Sequence, residues 1–316
     1  AMKRHALGRT GFEVAPLAFG GNVFGWTTDE PTSFKLLDAF VDAGGNLIDT
    51  ANSYSRWVPG HQGGESETVI GRWIARRGRH GDVVIATKVG ADMGEGGRCL
   101  RRDYIMQAAD ESLRRLQIEA IDLYQSHWDD EKTPLDETLD AYARLIRQGK
   151  VKAIGASNLT AARLAEALDV SAREGLPRYD TLQPPYNLYD RETFEGELRD
   201  LCLREDIGVI TYFSLAAGFL TGKYRTEADY AKSPRGAGMK KFLNERGLRI
   251  LDALDDVAAR LHSTPASVAL AWLMAQPGVD AAIASATSLA QFEALIAATR
   301  LSLDEVDARE LEEASA

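Results

Sequence analysis

Short apolar runs alternate with longer stretches of helical period along this chain, and few architectures satisfy that pattern. The runs are Pro16–Phe19, Asn46–Asp49, Val83–Ala86, Ile121–Tyr124, Val151–Ile154, Thr181–Gln183, Val209–Tyr212 and Ala281–Ala284. Between them lie helical stripes. Leu36, Leu37, Phe40 and Val41 share one face; so do Ile105, Ala109, Leu113 and Leu116, and Leu135, Leu139, Tyr142 and Ile146. Eight strands, each followed by a helix, predict a parallel sheet closed as a (β/α)8 TIM barrel. The competing doubly wound sheet would carry a GxGxxG turn after its first strand. That turn here reads Phe19-Gly20-Gly21-Asn22-Val23-Phe24 and does not match. Two segments exceed the repeat. Residues 1–14, with Arg9-Thr10-Gly11 between strand-like runs, predict an N-terminal β-hairpin able to plug the barrel floor. Residues 216–263 form a long insertion with extra helix from Phe242 to Leu261, of the kind that covers a ligand. No boundary breaks the pattern, so residues 1–316 read as a single barrel domain.

Charge and cysteine usage narrow the function classes. The formal charge of −10 repels a phosphate backbone, so nucleic acid is not an expected partner. No apolar run is long enough for a membrane span, and AMKRHALGRTG lacks a signal-peptide core, so the cytoplasm is the expected compartment. Cys99 and Cys202 form no CxxC pattern, and the five histidines show neither HxH nor HExxH spacing, so no metal site is expected. Oligomeric state stays open, a homo-oligomer included.

In a barrel, chemistry gathers where strands end. The second run ends at Asp49, just before Tyr54; the third leads to Thr87-Lys88; the fourth to Ser126-His127; the fifth to Ser157-Asn158; the sixth to Gln183. An aspartate, a tyrosine, a lysine and a histidine would then meet at one mouth. A lysine beside a carboxylate keeps its charge, and a cation beside a phenol lowers the phenol pKa from about 10. Such a tyrosine can protonate a carbonyl oxygen while a histidine orients it. No side chain supplies hydride, which implies a nicotinamide cofactor.

The segments Asn46–Tyr54, Gly63–Glu67, Ile85–Lys88, Ile121–His127, Ile154–Asn158, Gln183–Asn187 and Gly218–Tyr224 occur in order over almost the whole chain. In this ordered set the chain resembles the aldo-keto reductases. The resemblance implies an NAD(P)H-dependent oxidoreductase that reduces an aldehyde or ketone to an alcohol. It implies Tyr54 as general acid, Lys88 lowering its pKa, Asp49 pairing with Lys88, and His127 positioning the carbonyl. For the cofactor it implies Ser157, Asn158 and Gln183 on the nicotinamide carboxamide and Tyr212 stacked on the ring. Gly21, Asn22, Asp49, Phe213, Ser214, Leu215, Gly218, Lys223 and Arg235 complete the nicotinamide and pyrophosphate contacts. Ser285, Thr287 and Gln291 fall at the adenosine end. Their hydroxyls and amide can hydrogen-bond a 2′-phosphate, so NADPH is expected first; no cation stands between Ser285 and Gln291, and Ala294-Leu295 replaces the Glu-Asn pair of many relatives, which keeps NADH open. A second reading is a nicotinamide-binding regulatory subunit, because potassium-channel β subunits resemble the same motif set. Phe24, Trp26, Trp57 and Trp128 fall on loops after strands one, two and four; they either wall an apolar substrate pocket or pack loops.

Overall fold

The computed structural model describes residues 2–94 and 96–316. Two short strands, β1 (His5–Ala6) and β2 (Glu13–Val14), pair antiparallel as a hairpin. The barrel strands are β3 (Leu17–Gly20), β4 (Leu47–Asp49), β5 (Val84–Val89), β6 (Ile121–Ser126), β7 (Val151–Ser157), β8 (Thr181–Gln183), β9 (Gly208–Thr211) and β10 (Ala281–Ala284). They close in that order, with β10 pairing both β9 and β3, and all barrel pairs are parallel. The (β/α)8 expectation holds. The helices are α1 (Glu30–Asp42), α2 (Glu65–Arg77), α3 (Arg102–Leu116), α4 (Leu135–Arg147), α5 (Ala161–Glu174), α6 (Glu197–Arg204), α7 (Glu245–Arg260), α8 (Pro265–Met274), α9 (Leu289–Ala298) and α10 (Glu305–Ala314).

Local chemistry marks several helix starts. The side chains of Asp29, Thr160 and Thr264 accept from the backbone N–H of Thr32, Arg163 and Ser267, satisfying donors that the first turn leaves open. α2 is different. Its N-cap is Gly64 in the left-handed region, with no side-chain cap, and Ser66 in its first turn donates its hydroxyl hydrogen to the Gly21 carbonyl. The inserted segment holds three 3-10 stretches, Ala216–Thr221, Glu227–Lys232 and Gly236–Phe242, before α7 begins at Glu245 rather than at Phe242.

Period two along the strands sorts side chains between the barrel interior and the helix layer. Ala18, Leu47, Val84, Ala86, Leu123 and Ala153 pack inside with Leu7 and Val14, so the hairpin closes the barrel floor as expected. Phe19, Ile48 and Ile85 face outward onto Leu37 and Phe40 of α1 and Ile70 and Trp73 of α2. Two residues beyond Leu47, Ala86, Leu123 and Thr181 come Asp49, Lys88, Gln125 and Gln183, so the same alternation lines the upper interior with polar groups.

α2 and α3 meet backbone to side. A Cβ added at Gly71 would stand 1.9 Å from the Arg115 carbonyl oxygen. Gly71→Ala is therefore expected to destabilise by about 1–3 kcal/mol through overpacking, although Ala is the better helix former by about 1 kcal/mol. Gly81→Ala, where an added Cβ meets nothing within 4 Å, is the control. Urea midpoints of the two variants measure the difference; equal midpoints would contradict the close packing.

Candidate active site

β4 and β5 are neighbours in register, Asp49 opposite Ala86, so Lys88 lies one inward step above Asp49. The Lys88 ammonium is buried and donates to three acceptors: Asp49 Oδ2 at 2.7 Å, the Tyr54 hydroxyl at 2.8 Å and the Thr50 carbonyl at 3.1 Å. That uses all three of its protons. The Tyr54 hydroxyl donates to Asp49 Oδ2 across a longer 3.3 Å. The other carboxylate oxygen, Oδ1, accepts from Gln183 Nε2 at 3.0 Å and Gln125 Nε2 at 3.3 Å. Gln183 Nε2 also donates to Gln125 Oε1 at 3.0 Å, so the two amides orient each other. The His127 ring stands edge-on to Tyr54, centroids 6.0 Å apart. Asp49, Tyr54, Lys88 and His127 thus meet at one end of the barrel.

Two supports were not anticipated from the residues. Gln125 binds the catalytic candidate Asp49, and Glu67 acts from outside the barrel. Glu67 is fully buried; Thr87 donates to it at 2.6 Å and Arg115 at 2.8 Å. Thr87 precedes Lys88, so this network fixes the end of β5 from its outer face. Strand alternation could have pointed to Gln125, which lies two residues after the inward Leu123. Its neighbour Ser126 faces outward, within 2.6 Å of the Tyr142 hydroxyl and 2.7 Å of the Tyr179 hydroxyl.

The electrostatics of the cluster are set first by burial. Desolvation lowers the Lys88 pKa, while Asp49 and then Glu67 oppose that fall. Tyr54 departs from the sequence expectation. Although the residue keeps some surface at the mouth, desolvation, followed by the Asp49 charge, raises its phenol well above 10 rather than lowering it. The phenol is therefore protonated at neutral pH. His127 is pushed down to about 2, by burial first and then by the charges of Lys88 and Arg98. It is a neutral imidazole throughout the working range, and its Nδ1 is buried without a partner.

A histidine depressed when folded but ordinary when unfolded takes up its proton only on unfolding. Its contribution to stability is complete above the unfolded value near 6.5 and is lost as pH falls from there towards 2. The expected slope is at most about 1.4 kcal/mol per pH unit below that value. Subtracting the urea stability of His127→Gln from that of the wild type at pH 7 and at pH 5 isolates it. A difference independent of pH would contradict a neutral buried His127.

The remaining candidates lie along the same rim. The Ser157 hydroxyl donates to the Gln183 carbonyl at 2.8 Å. Asn158 Nδ2 donates to the His127 carbonyl at 3.0 Å, and Asn158 Oδ1 accepts from the Tyr212 hydroxyl. Phe213 is 59% exposed, its ring tilted against Tyr212, and Ser214 is buried with an unpartnered hydroxyl. Leu215 leads into the 3-10 stretch, broken at Ala217 and Gly218 by positive φ. Neither Lys223 nor Arg235 makes an ion pair among the described residues. The Ser285 hydroxyl lies 2.6 Å from Asn22 Oδ1 and 2.9 Å from the Gly20 carbonyl, next to Gly21. The backbone N–H and hydroxyl of Thr287 both donate to Gln291 Oε1.

The aromatic set divides. Phe24 is a correction: it is fully buried, stacked on Phe19 at 5.4 Å, and belongs to the packing between β3 and α1 rather than to a pocket wall. Trp26 (42% exposed) and Trp57 (52% exposed) stay at the surface, edge to face at 5.5 Å, and Trp57 meets Tyr54 at 6.1 Å. Trp128 stacks on His127 at 5.8 Å. Two clefts are present, one of about 470 Å³ beside Asn158 and Pro184 and one of about 490 Å³ beside Trp26 and Gly64; neither is lined by a member of the tetrad. Among the described residues no group of three or more His, Cys, Asp or Glu side chains could hold a metal ion, and no helix is long and apolar enough to cross a membrane.

Comparison with known proteins yields one family. The sequence model described as "Aldo/keto reductase family" matches residues 16–316. "Protein tas" of Escherichia coli (strain K12) is 32% identical, over 98% of this chain and 97% of its own. "Aldo-keto reductase YhdN" of Bacillus subtilis (strain 168) is 34% identical, over 98% and 92%. A "Probable voltage-gated potassium channel subunit beta" of Arabidopsis thaliana is 32% identical, over 92% and 89%.

Proposed function

The chain belongs to the aldo/keto reductase family, a family of NAD(P)H oxidoreductases, and we propose that it reduces the carbonyl of a small aldehyde or ketone to an alcohol with Tyr54 as general acid. One observation carries this reading: a buried ammonium lies 2.8 Å from a phenol and 2.7 Å from a carboxylate, at the open end of a barrel.

The residues fit a nicotinamide dinucleotide. Among the described residues the buried Ser214 hydroxyl lacks a partner, and Lys223 and Arg235 lack a carboxylate, which suits them to a pyrophosphate. Ser157, Asn158 and Gln183 would hold the carboxamide; Tyr212 would offer its ring face. Gly21, Asn22, Phe213, Leu215 and Gly218 would shape the remainder, with Ser285, Thr287 and Gln291 towards adenosine. When bound, the nicotinamide supplies hydride to the carbonyl carbon. NADPH is the first choice because Ser285, Thr287 and Gln291 can hydrogen-bond a 2′-phosphate; with no cation among residues 285–291, NADH is the competing result.

The chain's own residues would do the rest. Neutral His127 donates one N–H towards the carbonyl oxygen and orients it. Tyr54 turns its hydroxyl hydrogen from the long 3.3 Å contact with Asp49 towards that oxygen. As negative charge develops there, the proton moves across. The phenolate left behind is held by the Lys88 ammonium, which matters because the unassisted phenol is a weak acid in this burial. Asp49 keeps Lys88 charged against desolvation.

The Arabidopsis relative's name motivates a second reading, a nicotinamide-binding subunit. Titrating NADPH and NADH against tryptophan fluorescence, then following cofactor oxidation at 340 nm with a panel of reactive aldehydes, separates the two. Turnover supports the reductase. Binding without turnover supports the subunit, and binding of neither cofactor removes both.

A further inference from the structure

Above the tetrad stands a cation that the proposed reduction does not use. The Arg98 guanidinium lies over the Trp128 ring at 4.2 Å from its centroid. Trp128 stacks nearly parallel, at 12°, on His127, and His127 faces Tyr54. A continuous ladder therefore runs from an exposed arginine to the candidate proton donor. The Arg98 charge reaches the imidazole, where it is one of the two cations that lower His127.

Arg98 has no ion pair among the described residues, and the acids nearest Trp128 in sequence are engaged elsewhere. Asp129 is held by both Nε and Nη2 of Arg163. Asp130 accepts from the Leu100 and Lys132 backbones and from the Thr133 hydroxyl. No hydrogen bond engages the Arg98 N–H groups among the described residues, and a guanidinium held over an aromatic ring can bind a planar carboxylate along its edge with two parallel hydrogen bonds. Indole beneath it offers an apolar strip between that edge and the histidine.

We propose that Arg98 and Trp128 form a subsite for a carboxylate on the substrate, so that this chain prefers aldehydes or ketones carrying a carboxylate several bonds from the reacting carbonyl. The proposal rests on the reductase reading and specifies its substrate class. The carbonyl sits against His127 and Tyr54, the substrate body lies along the Trp128 ring, and the carboxylate meets the guanidinium edge.

The test compares two reactive aldehydes of similar size, 4-carboxybenzaldehyde and neutral 4-nitrobenzaldehyde, in the wild type, Arg98→Gln, Arg98→Lys and Arg98→Glu. The ratio of their kcat/KM values, carboxylate over nitro, is expected to fall about ten- to hundredfold in Arg98→Gln and further in Arg98→Glu, chiefly through KM. Arg98→Lys should retain part of it. An unchanged ratio in Arg98→Gln overturns the subsite while 4-nitrobenzaldehyde turnover, lost in Tyr54→Phe, leaves the reductase intact. If neither aldehyde turns over, the reductase reading fails. Quenching of tryptophan fluorescence by 4-(hydroxymethyl)benzoate, weakened in Arg98→Gln, then still decides whether the cation binds carboxylate; equal affinity in both proteins would sink it.

Discussion

Tyr54→Phe is expected to lower kcat for aldehyde reduction by about 10²–10⁴-fold, the usual worth of a positioned general acid. The ring and its contacts with Trp57 and His127 would remain. What disappears is the hydroxyl proton that Tyr54 would transfer and one of three acceptors for Lys88. The ammonium keeps Asp49 and the Thr50 carbonyl, so the fold should lose only about 1 kcal/mol. NADPH affinity, read by tryptophan quenching, should change less than threefold, because the residues expected on the cofactor are untouched. The burial that raises the Tyr54 phenol also shapes its pH profile. Reduction needs the protonated phenol, so activity should stay flat through pH 6–8 with no fall attributable to Tyr54. A Tyr54→Phe enzyme within threefold of wild type in kcat would remove Tyr54 as the acid.

Lys88→Met should do more damage to the fold. Asp49 and Lys88 are both buried, and taking one charge away strands the other. Such losses run to about 3–5 kcal/mol. The Asp49 carboxylate would be left buried with only its hydrogen bonds from Gln183, Gln125 and Tyr54. The double variant Asp49→Asn/Lys88→Met should regain most of the urea stability at pH 7, since no isolated charge remains. It should stay at least about 10²-fold slower than wild type, because the phenolate has lost its cation. Recovery of activity together with stability would mean that the pair serves the fold alone.

Much of this architecture was legible from local pattern. Thr181–Gln183 and Ala281–Ala284 coincide with β8 and β10; in β10 the reason is plain, because a fully buried parallel strand reads as a short apolar run. The ends were less legible. β5, β6 and β7 extend beyond the expected runs to Val89, Ser126 and Ser157, since the polar residues Thr87-Lys88, Gln125-Ser126 and Ser157 near their ends still pair. The motif order pointed to Asp49, Tyr54, Lys88 and His127, which the barrel brings together. Gln125 went unnoticed because an amide in a strand carries no local mark of its partner.

Burial separated the expectations that held from those that did not. Phe24 and Trp26 are both loop aromatics two residues apart, yet one is fully enclosed and the other open. Nothing in their immediate sequence distinguishes them; the neighbouring Phe19 ring does. The Tyr54 phenol followed the same rule. A nearby lysine predicts a lowered value, but desolvation and Asp49 outweigh it once the ring is placed.

Sequence alone determined the order of strands and helices, the inward face of each strand and the types of groups at the strand ends, because each depends on periods of two to four residues. Only the tertiary structure decided which groups touch. Asp49 is joined to Gln125 across 76 residues and to Gln183 across 134, and Arg98 lies over Trp128 across a loop. Closure of the barrel makes those contacts, and the water it excludes sets their charge states.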